Sequence, residues 1–406
     1  MSTKNEWHQL DELVRQWWEK DRTTATAADV VADESGTLLP LPRPYSTAGG
    51  SESAFPEMYG WDTHFINVGM LAHGRTDLVA DHIVNQLQMI ENYGMVLNGN
   101  RTYYLTRSHP PLLADSIWRY LSVVDDAEIL ERGVKMLARE YEGYWCAPHH
   151  STSIPLATNR DLGDPALRPE LASEAETGLD FTPIFGGDVR RCVPLMTNAC
   201  LVRTAEVLAD LHEQRGDAEQ SGLWRNRAQE RASAIREFCW DPETEFFYEY
   251  DTIDQRKLEY RSLNAYWMLW AGVATAEQAE ALVRQLNEFR TPNGLCFTDR
   301  AYPSPHPEFT NLQWQYPAGW PPMQIIVVQG LQRYGYGDLA RDVARDFVNL
   351  QVRIHQETGS LWERYDVVAG SANHPGERYT SVRFHGWSSG SIAFLGRVAY
   401  DELENE

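Results

Sequence analysis

At 406 residues and 43% hydrophobic content, the chain is long enough to bury a sizeable core. A net charge of −22, with no Lys/Arg cluster to neutralise a polyanion, argues against nucleic acid as a partner. No stretch approaches about 18 uninterrupted apolar residues, so no membrane-spanning helix is expected. The opening MSTKNEWHQLDELVRQWWEKD reads as an amphipathic helix, without the basic start, apolar core and small-residue cleavage site of a leader. Apolar residues at three- and four-residue spacing predict further helices over 62–73, 76–92, 112–122, 125–142, 189–213, 218–238, 261–272, 276–288, 320–335, 337–353 and 386–398. Between two of them EFFYEYD at 245–251, preceded by DPET, predicts a short hairpin. Neither a Gly/Ser/Pro-rich linker nor a fixed-period repeat divides the chain. The expectation is one all-α domain over 1–406, a helical toroid whose polar and aromatic loops gather at one end.

Five cysteines, Cys146, Cys192, Cys200, Cys239 and Cys296, are an odd number without short paired spacings. That suits reduced thiols in a cytoplasm and indicates neither a zinc site nor a disulfide framework. Fourteen tryptophans and nineteen tyrosines supply the flat amphipathic rings that sugar sites display, although a large helical core also uses such rings as filler.

Four loops carry the candidate chemistry. GGSESAFPEMYGWDTHF at 49–65 brings Phe55, Tyr59, Trp61 and Asp62 to a helix start, where Asp62 is either an N-cap or a hydrogen-bond acceptor beside a stacking ring. NGNRTYYLTRSHPP at 98–111 holds Asn98, Asn100, Arg101 and Arg107, which are costly to bury without partners and which a polyhydroxylated ligand would satisfy. In RPELASEAETGLDFTPIF, 168–185, Asp180 lies among Leu179, Phe181 and Ile184, surroundings that raise a carboxyl pKa and suit a general acid. For its acidic neighbours Glu174 and Glu176 the alternative is a solvated helix face. Near the C-terminus LQWQYPAGWPPMQ and LWERYDVVAGSANHPGERYTSVRFHGWSSGS offer Glu377 as a second carboxylate.

These segments resemble the signatures of the α,α-trehalases. NGNRTYYLTRSHPP is similar to their PNGNRxYYLxRSQPP, FPEMYGWDTHF to FxExYYWDSYF and AETGLDF to AESGWDF. QWQYPAGWPPMQ resembles QWDxPNGWAPxQ, and WERYDV, GERY and HGWSSG resemble EKYDV, GGGGEY and FGWTNG, all in the family's order. The resemblance implies an (α/α)6 barrel and an inverting hydrolysis with no metal and no cofactor. It implies Asp180 as the general acid and Glu377 as the general base. It implies Phe55, Tyr59, Trp61, Asp62, Asn98, Arg107, Arg168, Gln313, Trp314, Trp320 and Trp387 as substrate-binding residues. The expected partner is a small saccharide, with trehalose first and a glucosylated glycerol or glycerate, or mannosylglycerate, as the alternative. Three departures fall on the leaving-group side: Ala54 stands where the family's PGGRF has arginine, NHPGERY replaces GGGGEY, and only 11 residues separate Arg168 from Asp180. Remoter alternatives are a silent sugar-binding barrel and a lyase or epimerase drawing on His149, His150, His374 or His385.

Overall fold

The computed structural model describes residues 2–50, 54–161, 163–164, 166–374, 376 and 379–400. Glu377, the base expected from the sequence, lies outside them. Among the described residues fourteen α-helices follow in chain order: α1 Ser2–Lys20, α2 Ala27–Ala32, α3 Gly60–Ala72, α4 Thr76–Tyr93, α5 Leu113–Leu121, α6 Ala127–Glu140 and α7 Pro169–Glu176, then α8 Leu195–Gln214, α9 Ala218–Cys239, α10 Trp267–Trp270, α11 Ala276–Gln285, α12 Pro321–Arg333, α13 Gly337–Thr358 and α14 Gly386–Tyr400.

Helices α3, α8, α12 and α14 are buried along most of their length. With α5 and α10 they form a closed inner ring, in which each packs on the next in the order α3, α5, α8, α10, α12, α14 and back to α3. Amphipathic α4, α6, α9 and α13 lie outside the ring against their inner neighbours, and α1 takes the corresponding outer place against α13 and α14. This is the expected (α/α)6 toroid. One continuous hydrophobic cluster runs through it from Trp7 to Ala399.

The departures from the expected elements have local causes. The helix expected at 189–213 begins only at Leu195, because Pro194 is its N-cap and the chain before it forms a turn at Val189–Arg191 and a strand at Cys192–Val193. EFFYEYD does not make one hairpin. Phe246–Phe247 pairs back onto Trp240–Asp241, whereas Tyr250–Asp251 joins a three-stranded ribbon with Cys192–Val193 and Arg256–Lys257. Two short helices were not anticipated. The first, α2, has a capping box between Thr26 and Asp29, and α7 starts with Pro169 at its first position, so both carried a readable start signal.

Candidate active site

Five of the six connections that lead into an inner helix meet over the N-terminal ends of the inner helices. They close a cavity of about 180 Å³, small beside the ~300–1,000 Å³ usual for ligand pockets and suited to a small molecule. Trp61 and Asp62 enter it from the first turn of α3, Trp320 from the N-cap of α12 and Trp387 from the first turn of α14. The loops supply Phe55, Tyr59, Asn98, Arg107, Asp180, Gln313 and Trp314. Of the site residues expected from the sequence and described here, only Arg168 lies off the lining. Its guanidinium is half exposed, 3.3 Å from Glu170 and 2.5 Å from Glu308.

Short backbone ties fix these loops to one another. Tyr59 bridges to Gly99, the Gly60 N–H donates to Asn98 O at 2.9 Å, and the Asn98 N–H donates to Arg107 O at 3.1 Å. Ala318–Gly319 pairs with Tyr365–Asp366 and so joins the Trp314–Trp320 loop to the loop after α13. One wall is a tryptophan cluster. Trp314 stacks on Trp320 at 3.7 Å between centroids, Trp387 meets Trp320 edge-on at 5.9 Å, and Trp61 contacts both Trp314 and Trp387. The opening of AETGLDF accommodates that cluster. Gly178 has φ +76°, and a Cβ there would lie 2.8 Å from the Trp61 ring, so both backbone and space require glycine. Phe181, just after Asp180, adopts φ 61°, a conformation costing about 1–3 kcal/mol for a non-glycine residue. It is held by the Phe309 ring at 5.1 Å and by the Trp314 N–H donating to its carbonyl at 3.2 Å.

Electrostatically the cavity is acidic. Asp62, Glu174, Asp180 and Glu363 all contribute to its lining, and the one described cation on it, Arg107, already reaches Asp161 at 2.9 Å and Asp164. Asp62 is the third residue of α3, behind the N-cap Tyr59, and is therefore not a cap. Burial, helped by the Glu363 and Asp180 charges, pushes its pKa up to about 8. Asp180 accepts from the Gln313 amide at 3.2 Å. Glu363 is buried. Burial raises its pKa, Asp180 adds to the rise, and two donors oppose it: the Arg364 guanidinium on one oxygen and the Tyr379 hydroxyl at 2.8 Å on the other. Arg364 itself is fully buried over the rings of Trp320 and Tyr379.

Several lining residues were not singled out from the sequence: Glu363, Glu174, Tyr104, His109, Tyr379 and Phe384. Glu363 stood in the quoted WERYDV, where its place beside Tyr365, a ribbon residue facing the core, was the available signal. Glu174 and Glu176 do not form a solvated face, since both are buried. Glu176 is a hub for the loops, accepting from Tyr144, from Asn159 Nδ2 at 3.1 Å and from the Arg160 N–H at 2.9 Å, with His150 Nε2 at 3.1 Å. Asn100 and Arg101 serve structure: Asn100 accepts the Met58 N–H at 2.9 Å, and Arg101 binds Glu57 at 2.9 Å and Asp33 at 2.8 Å. None of His149, His150, His374 and His385 lines the cavity; His109 does, with burial holding its pKa well below the usual value and Nδ1 facing the Trp61 N–H at 3.4 Å. Among the described residues no group of three His, Cys, Asp or Glu side chains is arranged to hold a metal ion.

The trehalase family model matches residues 2–170 and 172–398. The chain belongs to the trehalase family. It is 28% identical to the cytosolic neutral trehalase of Saccharomyces cerevisiae over 82% of its own length and 52% of the relative's, so it spans about half of that protein. It is 30% identical to the periplasmic trehalase of Pseudomonas aeruginosa over 89% of its length and 72% of the relative's. Among solved structures, the yeast neutral trehalase superposes with a TM-score of 0.78 at 25% identity, covering 88% of this chain and 74% of that one. A GH63 mannosylglycerate hydrolase from Thermus thermophilus gives 0.67 at 15% identity over 95% and 99% of the two chains, a likeness of fold alone. The two sequence relatives work in different compartments by name, and no helix among the described residues is long and apolar enough to cross a membrane.

Proposed function

We propose that this family member is an inverting glycoside hydrolase of an α-glucosidic bond, with α,α-trehalose as its substrate. The observation that carries the reading is the placing of Asp180 and Glu363 on one small tryptophan-walled cavity, electrostatically coupled to each other. Asp180 protonates the departing glycosidic oxygen. Glu363 takes a proton from a water that adds to the anomeric carbon from the opposite face, giving inversion. The assignment of the base to Glu363 rests on its two donors, Arg364 and Tyr379, which oppose the rise that burial gives its pKa and so support the carboxylate form that a base needs. Asp62, protonated at neutral pH, and Asn98 offer hydrogen bonds to the glycone hydroxyls, and Trp61 and Trp387 offer faces for its ring. The sequence-based alternative for the base, Glu377, lies 14 residues further on.

The variants D180N, E363Q and E377Q, assayed on trehalose with the product anomer followed by proton NMR, test this reading. D180N and E363Q should lose about 10²–10⁴-fold in kcat with folding unchanged, E377Q clearly less, and β-glucose should appear first. Full activity in E363Q with loss in E377Q would transfer the base role to Glu377, and α-glucose as the first anomer would sink inversion.

A second reading, a glucosylated glycerol as substrate, is favoured by the small cavity and by Ala54 in place of the family's arginine. Glycerate glucosides fit less well, because the described lining offers a carboxylate no cation other than the already paired Arg107. A cytoplasmic location fits the five free thiols, four of them buried.

A further inference from the structure

We propose that Glu174 is a specificity-determining residue that hydrogen-bonds a hydroxyl of a neutral leaving group and, with its surroundings, selects against a carboxylate-bearing one. The inference rests on the hydrolase reading and concerns the same cavity.

The general acid must touch the leaving-group oxygen, so side chains carried on the same segment as Asp180 are those beside the leaving group. That segment is α7 and the turn after it, an excursion outside the inner ring and the helices packed on it. Its contribution to the cavity is Leu171, Glu174, Ala175 and Gly178 ahead of Asp180 and Phe181. Glu174 is the one polar side chain of the α7 group. It is 1% exposed, Oε1 accepts the Thr182 N–H at 3.2 Å, and Oε2 is buried with no hydrogen-bond partner. A buried polar atom left unpaired costs about 1–3 kcal/mol, and the cavity it borders is where a partner can enter.

Burial, opposed by the Thr182 and Phe181 N–H groups and reinforced by the Asp180 charge, lifts the Glu174 pKa to about 8. At neutral pH it therefore presents a carboxylic acid, which can donate to and accept from a hydroxyl without bringing a charge. A glycerate carboxylate placed there would face Asp180, Glu363 and the apolar Leu171, with Arg107 already taken by Asp161 and Asp164.

The test compares wild type, E174Q and E174L on trehalose, glucosylglycerol, glucosylglycerate and α-glucosyl fluoride, whose leaving group is too small to reach Glu174. Wild type should favour trehalose or glucosylglycerol over glucosylglycerate by at least ~100-fold in kcat/KM, the scale on which an unpaired polar group discriminates. E174L should lose about 10–100-fold on the preferred glycoside and stay within about threefold on the fluoride. E174Q, which keeps a neutral donor and acceptor, should restore most of the loss. Unchanged glycoside activity in E174L, an equal loss on the fluoride, or a wild-type preference for glucosylglycerate would each overturn the proposal. A wild-type protein inactive on every glycoside and on the fluoride would instead overturn the hydrolase reading itself.

Discussion

Glu363 and Arg364 are neighbours in the chain and partners in space, and both are withdrawn from water. The guanidinium is anchored by Tyr379 O at 2.7 Å and by His374 Nδ1 at 3.2 Å, while burial pushes the His374 pKa down to about 3 and keeps that ring neutral. Arg364 is thus the cation that keeps a buried carboxylate ionisable, and its removal should be read in the pH profile. In R364M the larger of the two influences lowering the Glu363 pKa is gone and only the Tyr379 hydroxyl still opposes the rise from burial and the Asp180 charge. The acid limb of kcat/KM should therefore move to higher pH, and R364K should move it less. An unmoved acid limb in a folded R364M protein would remove Glu363 from the role of base. A reader of the sequence could list such residues without choosing among them. Asp180 and Arg107 were legible as chemistry-bearing because apolar or aromatic neighbours surround them, whereas Glu363 looked like any of the 58 acidic residues until Arg364 and Tyr379 were placed around it.

The relative position of α3 and α14 sets how Trp61 and Asp62 sit against Trp387 in the cavity lining. The two helices touch through glycine. A Cβ on Gly69 would lie 2.5 Å from Gly390 Cα, and one on Gly390 would lie 2.2 Å from Phe65 O. These are backbone contacts that no side-chain rotation relieves. Gly390→Ala should push the helices apart and destabilise by about 1–3 kcal/mol. Thermal melting should detect the loss and steady-state kinetics a fall in kcat, whereas a melting temperature and kcat equal to wild type would mean that the contact is not tight. Helix existence was readable along most of the chain because the inner and outer faces impose a 3.6-residue apolar period. Boundaries at 189–213 and the split of EFFYEYD were not, since they depend on which distant strand, Cys192–Val193, completes the hydrogen bonding of Tyr250–Asp251.

Over the whole molecule, several carboxyls are buried in the neutral form. Burial lifts Asp62 and Glu174 to about 8 and Glu140 and Glu249 to about 7. A carboxyl whose pKa is raised by folding stabilises the fold below its unfolded value, and that contribution is lost as pH rises through the folded value. Buried histidines act in the opposite sense lower down. His64, held near 4, and His82, near 3, take a proton on unfolding below about 6.5 and so erode stability as pH falls. The two sets oppose one another below about pH 6.5, and above it only the carboxyls act. The melting temperature should accordingly fall between pH 6.5 and 8.5, and less steeply in E140Q, a position away from the cavity. A flat or rising profile over that interval would contradict the buried neutral state.

By itself the sequence determined that the chain is helical, with apolar residues at three- and four-residue spacing along most of its length, and that five ordered motifs carry a trehalase resemblance, because composition and periodicity are local properties. The tertiary structure decided which polar residues face one another: that α1 takes its place beside α14, that Arg101 serves the scaffold while Arg107 serves the cavity, that Arg168 lies at the surface, and that Glu363 and Glu174 join Asp180. Those outcomes turn on burial and on charge partners up to hundreds of residues apart in the chain, and neither is written in the spacing of any one segment.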